Sequence, residues 1–399
     1  MPPSPASSAA TTIADPDTGI TAAAAVAGAV LLGVGRGDPG VALALAVTDA
    51  VAAAHTRTIA AAVALTEPER LQRSGRQPVA DGPCPDTPGT LARDDLIVRA
   101  LLLFNPNANR TGAGVRDVIA SALASELKLD VQATKQRGHA IHVAAGAVQE
   151  GVDVIFTLGG DGTANEVMQA IAGTPVMLGV IPGGSTNVLA RNLGLPNDAV
   201  AATAALLERI REGSSLTVGL GQVNGRYFAV NAGFGFDAAV VRLVERRARL
   251  KRAVRQLSFV GCALQEFFFD YDRSHLPISV EAPGQAPRSG YGFAIVCNTS
   301  PYTYLSRRPL QVTPDAAFDL GLDALGVRTL RARSVLRVVG QVLTTAGHLR
   351  SRFVDHWHDL PALTIRSQVP LPLQVDGDYA GEWRELTFSS VPAALRVVA

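Results

Sequence analysis

From residue 97 to about residue 196 the chain alternates between short apolar runs and four-residue periodicities. Ile97 to Phe104 is an almost unbroken β-forming run, which predicts a strand buried on both faces. Val115, Ile119, Leu123 and Leu127 then recur every four residues and define one face of a helix. Val131 to Thr134 predicts a second strand. Ala140 to Glu150 predicts a second helix, which Gly151 stops from the position of a C-cap. Asp153 to Leu158 is a third apolar run, with a helical pattern after it that ends at Gly173. Val176 to Ile181 is a fourth, with a helix that ends near Gly194-Leu195-Pro196. This alternation predicts an α/β domain with a parallel sheet over residues 96–213.

The period changes after Glu212. Leu216, Val218 and Leu220 alternate with smaller residues, and Asn224-Gly225 sits between two β-rich runs as a hairpin turn. Further strands are expected at Ile278 to Glu281, Tyr291 to Cys297, Leu320 to Val327, Leu363 to Arg366, Leu373 to Val375 and Leu386 to Ser389. Asp376-Gly377 repeats the turn chemistry of Asn224-Gly225. Many short strands with turn signals predict a C-terminal antiparallel β-sandwich domain over residues 214–399, with a helical insertion at 238–271. The last residues are free to return to the first domain.

Candidate chemistry gathers where the strands of the first half end. Leu158 runs into Gly159-Gly160-Asp161-Gly162-Thr163-Ala164-Asn165, and Ile181 into Pro182-Gly183-Gly184-Ser185-Thr186-Asn187. Glycines at a strand-to-helix turn let the backbone approach a ligand, and the helix start offers unpaired N–H groups and a positive dipole end. That suits a polyphosphate. Asp161 fits such a site if a metal ion or a basic group stands between it and the phosphates. In parallel α/β sheets ligands bind at the C-terminal ends of the strands, where these turns lie.

Composition narrows the classes. The 399 residues are 47% hydrophobic and 18% charged, with a net charge of +1, enough for two cores and against a general nucleic-acid binder. Cys84, Cys262 and Cys297 have no paired spacing, which points to reduced thiols in a cytoplasm. The pairs His139/His142 and His356/His358 have metal-compatible spacing, and isolated pairs of this kind are as a rule ordinary surface or core histidines. Residues 1–95 are an Ala/Pro-rich extension and linker, helical or disordered. Their apolar runs fall short of the roughly 20 residues that span a bilayer. No basic stretch precedes the first run, against a secretory signal.

Gly159 to Thr163 resembles the GGDGT signature of diacylglycerol, sphingosine and ceramide kinases, NAD kinases and phosphofructokinases. Asn105-Pro106 is similar to the NPxSG turn of diacylglycerol-kinase-like lipid kinases. Pro182 to Asn187 resembles their second nucleotide turn, Asn231 to Asp237 the strand entering their lipid domain, Asp315 to Asp319 their DGxFD turn and Asp376 to Asp378 their DGE turn. The order is the family's, from Ile97 to the C-terminus. The resemblance implies a lipid kinase, with diacylglycerol first among acceptors and phosphatidic acid as product. A sphingoid base or another lipid alcohol, NAD kinase and a non-catalytic nucleotide-binding protein are the alternatives. It implies ATP across Asn105, Pro106, Asn107, Ala108, Asn109, Thr134, Gly159, Gly160, Asp161, Gly162, Thr163, Ala164, Asn165, Ser185 and Thr186. Mg²⁺ would bridge the phosphates near Asp161. A structural Mg²⁺ would lie at Asp315 with the carbonyls of Val312 and Ala317. Asp378 would accept the hydroxyl proton and Asp376 would tune it.

Three turns depart from the family pattern: Ala108-Asn109 stands where Ser-Gly is usual, Ala316 for the turn glycine, and Asp378 for glutamate. The basic run Arg242, Arg246, Arg247, Arg249, Lys251, Arg252 and Arg255, with apolar residues at near-helical spacing and Phe267-Phe268-Phe269 after it, reads as a membrane-surface helix or a solvated helix face. The implied setting is cytoplasmic, peripheral to the inner face of the membrane, with the lipid substrate as partner. A homodimer is left open.

Overall fold

The computed structural model describes residues 98–108, 112–248, 275–305, 307–344 and 347–399. The chain divides into Met1–Thr90 and Leu91–Ala399, and all described residues belong to the second unit. The expected extension, Asn109 and the basic segment from 249 onward lie outside the described residues, as do the side chains of Arg246 and Arg247.

The first half has the predicted alternation. Strands β1 (Arg99–Phe104), β2 (Lys128–Ala133), β3 (Val154–Gly159) and β4 (Met177–Pro182) pair in parallel in the order β2-β1-β3-β4. Every residue of β3 is buried, because helices cover both faces and leave no solvent side for polar residues. Helices α1 (Ala113–Ala124), α2 (His139–Gln149), α3 (Asp161–Ile171), α4 (Val188–Asn192) and α5 (Ala199–Glu212) connect and flank the strands. The apolar periodicity does not reveal helix α5, although its ends carry sequence signals. Asp198 caps it by accepting from the N–H groups of Val200 and Ala201, a contribution of about 1 kcal/mol. Gly213, at φ 67°, closes it in the left-handed conformation.

The second half is antiparallel. It comprises β5 (Leu216–Val223), β6 (Arg226–Phe228), β7 (Asn231–Gly235), α6 (Phe236–Ala248), β8 (Ile278–Glu281), β9 (Arg288–Tyr291), β10 (Phe293–Cys297), β11 (Thr303–Leu305), β12 (Arg308–Leu310), β13 (Leu322–Val327), α7 (Ala332–Thr344), a 3₁₀ turn (Gly347–Arg350), β14 (Val354–Leu360), β15 (Ala362–Val375) and β16 (Asp378–Val397). Strand β15 pairs β8 through Thr364–Ser367 and β7 through Leu373–Val375, so it passes from one arm of the sandwich to the other. Ile278 and Val280 of the first arm and Ala294 and Val296 of the second share one core with Ile365 and Phe388. Strand β16, 20 residues long, pairs β15 at its start. At its end it pairs β4 in parallel, Arg396 with Met177 and Val397 with Leu178. The C-terminus therefore closes the α/β sheet, and Ala394, Leu395, Val397 and Val398 join its core.

Among the described residues no helix is long and apolar enough to cross a membrane.

Candidate functional site

The parallel register brings Phe104, Leu158 and Ile181 side by side, so the turns after β1, β3 and β4 share one edge of the sheet. Backbone hydrogen bonds lock them together. Asn105 N–H donates to Leu158 O at 3.0 Å, Thr134 N–H to Phe104 O at 2.8 Å and Gly183 N–H to Gly159 O at 2.7 Å. Asn105 also accepts from Asn107 N–H at 2.9 Å and so shapes its own turn. Asn105, Pro106, Asn107, Ala108, Thr134, Gly160, Ser185 and Thr186 thus line a single edge.

Glycine is dictated at the closest approach. A Cβ on Gly184 would lie 2.7 Å from Gly160 Cα, and one on Gly159 would lie 2.7 Å from Thr163 Oγ1. Asn187, at φ 51°, fixes the second turn. Its Oδ1 accepts from Gly184 N–H at 2.8 Å and its Nδ2 donates to Gly184 O and to Asn197 Oδ1.

Within the Gly159–Asn165 stretch the residues divide. Gly160, Asp161 and Gly162 are half-buried at the helix start, where N–H groups have no intrahelical partner. Thr163, Ala164 and Asn165 are buried, and their side chains are turned inward. Asn165, expected at the nucleotide, instead donates from Nδ2 to Asp376 Oδ2 at 2.8 Å and accepts from Gln169 at 3.3 Å. Asp161 Oδ1 accepts from Leu189 N–H at 3.0 Å and so ties α3 to the start of α4. Burial raises its carboxyl above the usual range, against the pull of the Leu189 and Val188 N–H groups.

The two aspartates of the 376–378 turn have opposite surroundings. Asp376 and Gly377 have φ of 48° and 83°, the left-handed pair of a tight hairpin turn between β15 and β16. Asp376 Oδ2 accepts from Ala229 N–H and Asn165 Nδ2, both at 2.8 Å, and Oδ1 accepts from Val230 and Asn231 N–H at 2.9 and 3.0 Å. Burial raises the carboxyl, and these donors oppose it. Asp376 is therefore a clamp that gathers three consecutive backbone N–H groups. Asp378, with 27% of its side chain exposed, faces the glycine turn. Its Oδ2 lies 3.6 Å from where a Cβ on Gly162 would stand. Two guanidiniums flank it, Arg137 at 3.4 Å and Arg226 at 3.7 Å.

Sequence reasoning missed these arginines and two residues that hold the parts in place. Arg137 lies in the loop before α2, which Glu166 fixes by accepting from Gly138 and Ala140 N–H at 2.8 and 3.1 Å. Gln374, 1% exposed, accepts from Gly377 N–H at 2.8 Å and donates to Asn231 Oδ1 and Asp237 Oδ2. Arg226 follows a hairpin signal, Asn224-Gly225, that marks the turn and says nothing of the next side chain.

Asp315 stands apart on an exposed turn. Its donors are of the right kind for a hard cation: a carboxylate, carbonyls, the hydroxyl of Thr313, and the buried hydroxyl of Ser300, which has no partner among the described residues. The carbonyls of Val312 and Ala317 are already engaged, by His348 Nε2 at 2.6 Å and Leu320 N–H at 3.1 Å. A cation here would use their second lone pairs. Among the described residues no group of three or more His, Cys, Asp or Glu is placed to hold a metal. His139 Nδ1 accepts from Lys135 N–H at 3.3 Å, and His358 Nδ1 lies 2.8 Å from Asp323 Oδ1.

Residues 99–223 match the family model of the diacylglycerol kinase catalytic domain. Diacylglycerol kinases of Staphylococcus aureus strains bovine RF122 / ET3-1 and Newman are each 28% identical to the chain over 292 residues, covering 71% of it and 87% of the relative. The crystal structure of a diacylglycerol kinase from Bacillus anthracis str. Sterne superposes with a TM-score of 0.59 at 20% identity, over 75% of this chain and 96% of the other. The architecture is thus one already seen in solved structures.

Proposed function

We propose, from the premise that this chain is a kinase of the diacylglycerol kinase catalytic-domain family, that it transfers the γ-phosphoryl group of ATP to the free hydroxyl of diacylglycerol and yields phosphatidic acid and ADP. The observation that carries this reading is Asp378 opposite Gly162, between the phosphate-type turns and the sandwich. Phosphoryl transfer asks a protein mainly for positioning and charge neutralisation, with one base for the acceptor proton. Gly160 to Gly162 and Gly183 to Thr186 supply the backbone bed for the phosphates. Asp378 takes the hydroxyl proton as the hydroxyl oxygen bonds to the γ-phosphorus and the bridging oxygen leaves with ADP. Arg137 and Arg226, beside Asp378, are cations available to the transferring group.

Asp376 is assigned to holding the turn. A divalent cation carried with the nucleotide would neutralise phosphate charge; Asp161 would help hold it, and Asp315 would hold a second, structural one. The enzyme would meet its substrate at the membrane surface, from the cytoplasmic side. A labelled-ATP assay against diacylglycerol, sphingosine, ceramide and NAD tests the reading. Label transfer to diacylglycerol above the other acceptors is expected. Transfer to sphingosine or NAD alone would sink it.

A further inference from the structure

Between Ala324 and Val354 the chain has six arginines and no aspartate or glutamate, in a protein whose 36 basic residues are otherwise balanced by 35 acidic ones. The structure gathers them. Arg328 is spent on an ion pair with Asp355. Arg333 and Arg337 are exposed on α7, Arg331 immediately before it, Arg350 at the end of the 3₁₀ turn and Arg352 just after that turn. Among the described residues none of Arg331, Arg333, Arg337 and Arg350 has an acidic partner within ion-pair distance. Arg333 and Arg337, four residues apart, share one face of the helix. Val335 and Val338 bury the opposite face, and Val339, 46% exposed, flanks the arginines. The mount is fixed, because His348 of the 3₁₀ turn donates from Nε2 to Val312 O in the sandwich.

We infer that this face of α7 docks the protein onto an anionic lipid surface. Arginines spread over a helix face, with an exposed valine at their edge, suit a negatively charged, partly apolar partner. The inference rests on the lipid-kinase reading in one respect: a lipid acceptor lies in a bilayer, so the protein must hold to one. On that reading the product is itself anionic, and the surface would grow more attractive as turnover proceeds.

The test is cosedimentation of the full chain, without ATP, with phosphatidylcholine vesicles with and without phosphatidylglycerol. The wild type is expected to partition to the anionic vesicles and to be released by salt. Replacing Arg331, Arg333 and Arg337 by Gln should weaken that partitioning about fivefold per arginine, on the order of a hundredfold together. Neutralising Lys128, Arg211 and Arg396 instead should leave most of it. Both triple variants should phosphorylate a dispersed short-chain diacylglycerol at the wild-type rate. Equal binding by the α7 variant and the wild type overturns the proposal, as does equal loss in both triple variants. Capture by polyglutamate with no binding to anionic vesicles would overturn it too, in favour of an acidic protein partner. Failure of the wild type on the short-chain substrate would instead strike the lipid-kinase reading and leave the vesicle result standing.

Discussion

Gly184→Ala tests whether the two glycine turns form one bed. The added methyl would stand 2.7 Å from Gly160 Cα and 2.9 Å from Asn187 Oδ1, where ordinary contact begins at 3.4 Å. One neighbour is backbone and the other holds the turn through Gly184 N–H, so neither can swing away. The turns must separate by about 0.7 Å, which stretches the 2.7 Å bond from Gly183 N–H to Gly159 O. Overpacking of this kind costs about 1–3 kcal/mol of stability. A misplacement near 1 Å can cost on the order of 10²-fold in rate, so kcat/KM should fall roughly 10- to 100-fold. Gly146→Ala is the matched control. It lies inside α2 with nothing within 4 Å of its would-be Cβ, so it should gain about 0.5–1 kcal/mol and leave activity alone. Steady-state kinetics, nucleotide affinity and thermal unfolding of both variants decide. A folded Gly184→Ala with kcat/KM within twofold of wild type would refute the shared bed.

Three further outcomes are expected. Asp378→Asn should lose roughly 10²–10⁴-fold in turnover with nucleotide affinity kept, and Asp378→Glu should stay active; normal turnover in the asparagine variant would move the base elsewhere. Asp376→Asn turns an amide N–H₂ toward two of the four donors it now accepts from, so it should lose about 2 kcal/mol or more in denaturant unfolding, and an unchanged midpoint would contradict the clamp. Burial lowers the His348 imidazole below its usual range, against the opposing pull of Val312 O. Between that lowered value and about pH 6.5 the unfolded chain binds more protons, so stability should rise with pH across that window. His348→Gln, which keeps a donor for Val312 O, should flatten the melting temperature there; an equally steep variant would acquit His348.

The parallel half of the fold was legible because β1, β3 and β4 are buried apolar runs and its turns carry glycine, whereas β2 at the sheet edge mixes Lys128, Asp130 and Gln132 with its apolar residues and is mostly exposed. Where polarity or proline interrupts the pattern, legibility failed. Val354–Leu360 contains Asp355, His356, His358 and Asp359, and its strand character was hidden. Leu363–Arg366 and Leu373–Val375 read as two strands, yet they are one, with Pro370 and Pro372 accommodated where the pairing register with β16 shifts. At the candidate site the sequence marked the turns and did not say which side chains face out. Thr163, Ala164 and Asn165 belong to the same motif as Gly160 to Gly162, and only helix geometry turns them inward. Arg137 and Arg226 could not be found locally, because what singles them out is a carboxylate at 378, about 240 and 150 residues away, brought near by β16.

The turn at 376–378 shows why two like residues two positions apart need not share a task. Its left-handed pair at 376 and 377 reverses the chain within two residues, so the flanking side chains meet different environments. Asp376 faces the start of β7 and is saturated by four donors. Any movement of that carboxylate would leave buried N–H groups unpaired, at about 1–3 kcal/mol each. Gln374 adds a second tie, from Gly377 N–H back to Asn231 and Asp237, and Tyr302 donates to Asp237 Oδ1 at 2.7 Å. The turn is thus held from behind by groups that never reach the cleft. A base must keep its place and also exchange a proton with its substrate, and one carboxylate with every lone pair occupied cannot do the second. Asp376 meets the first requirement, which leaves Asp378, half-buried and opposite Gly162, to meet the other.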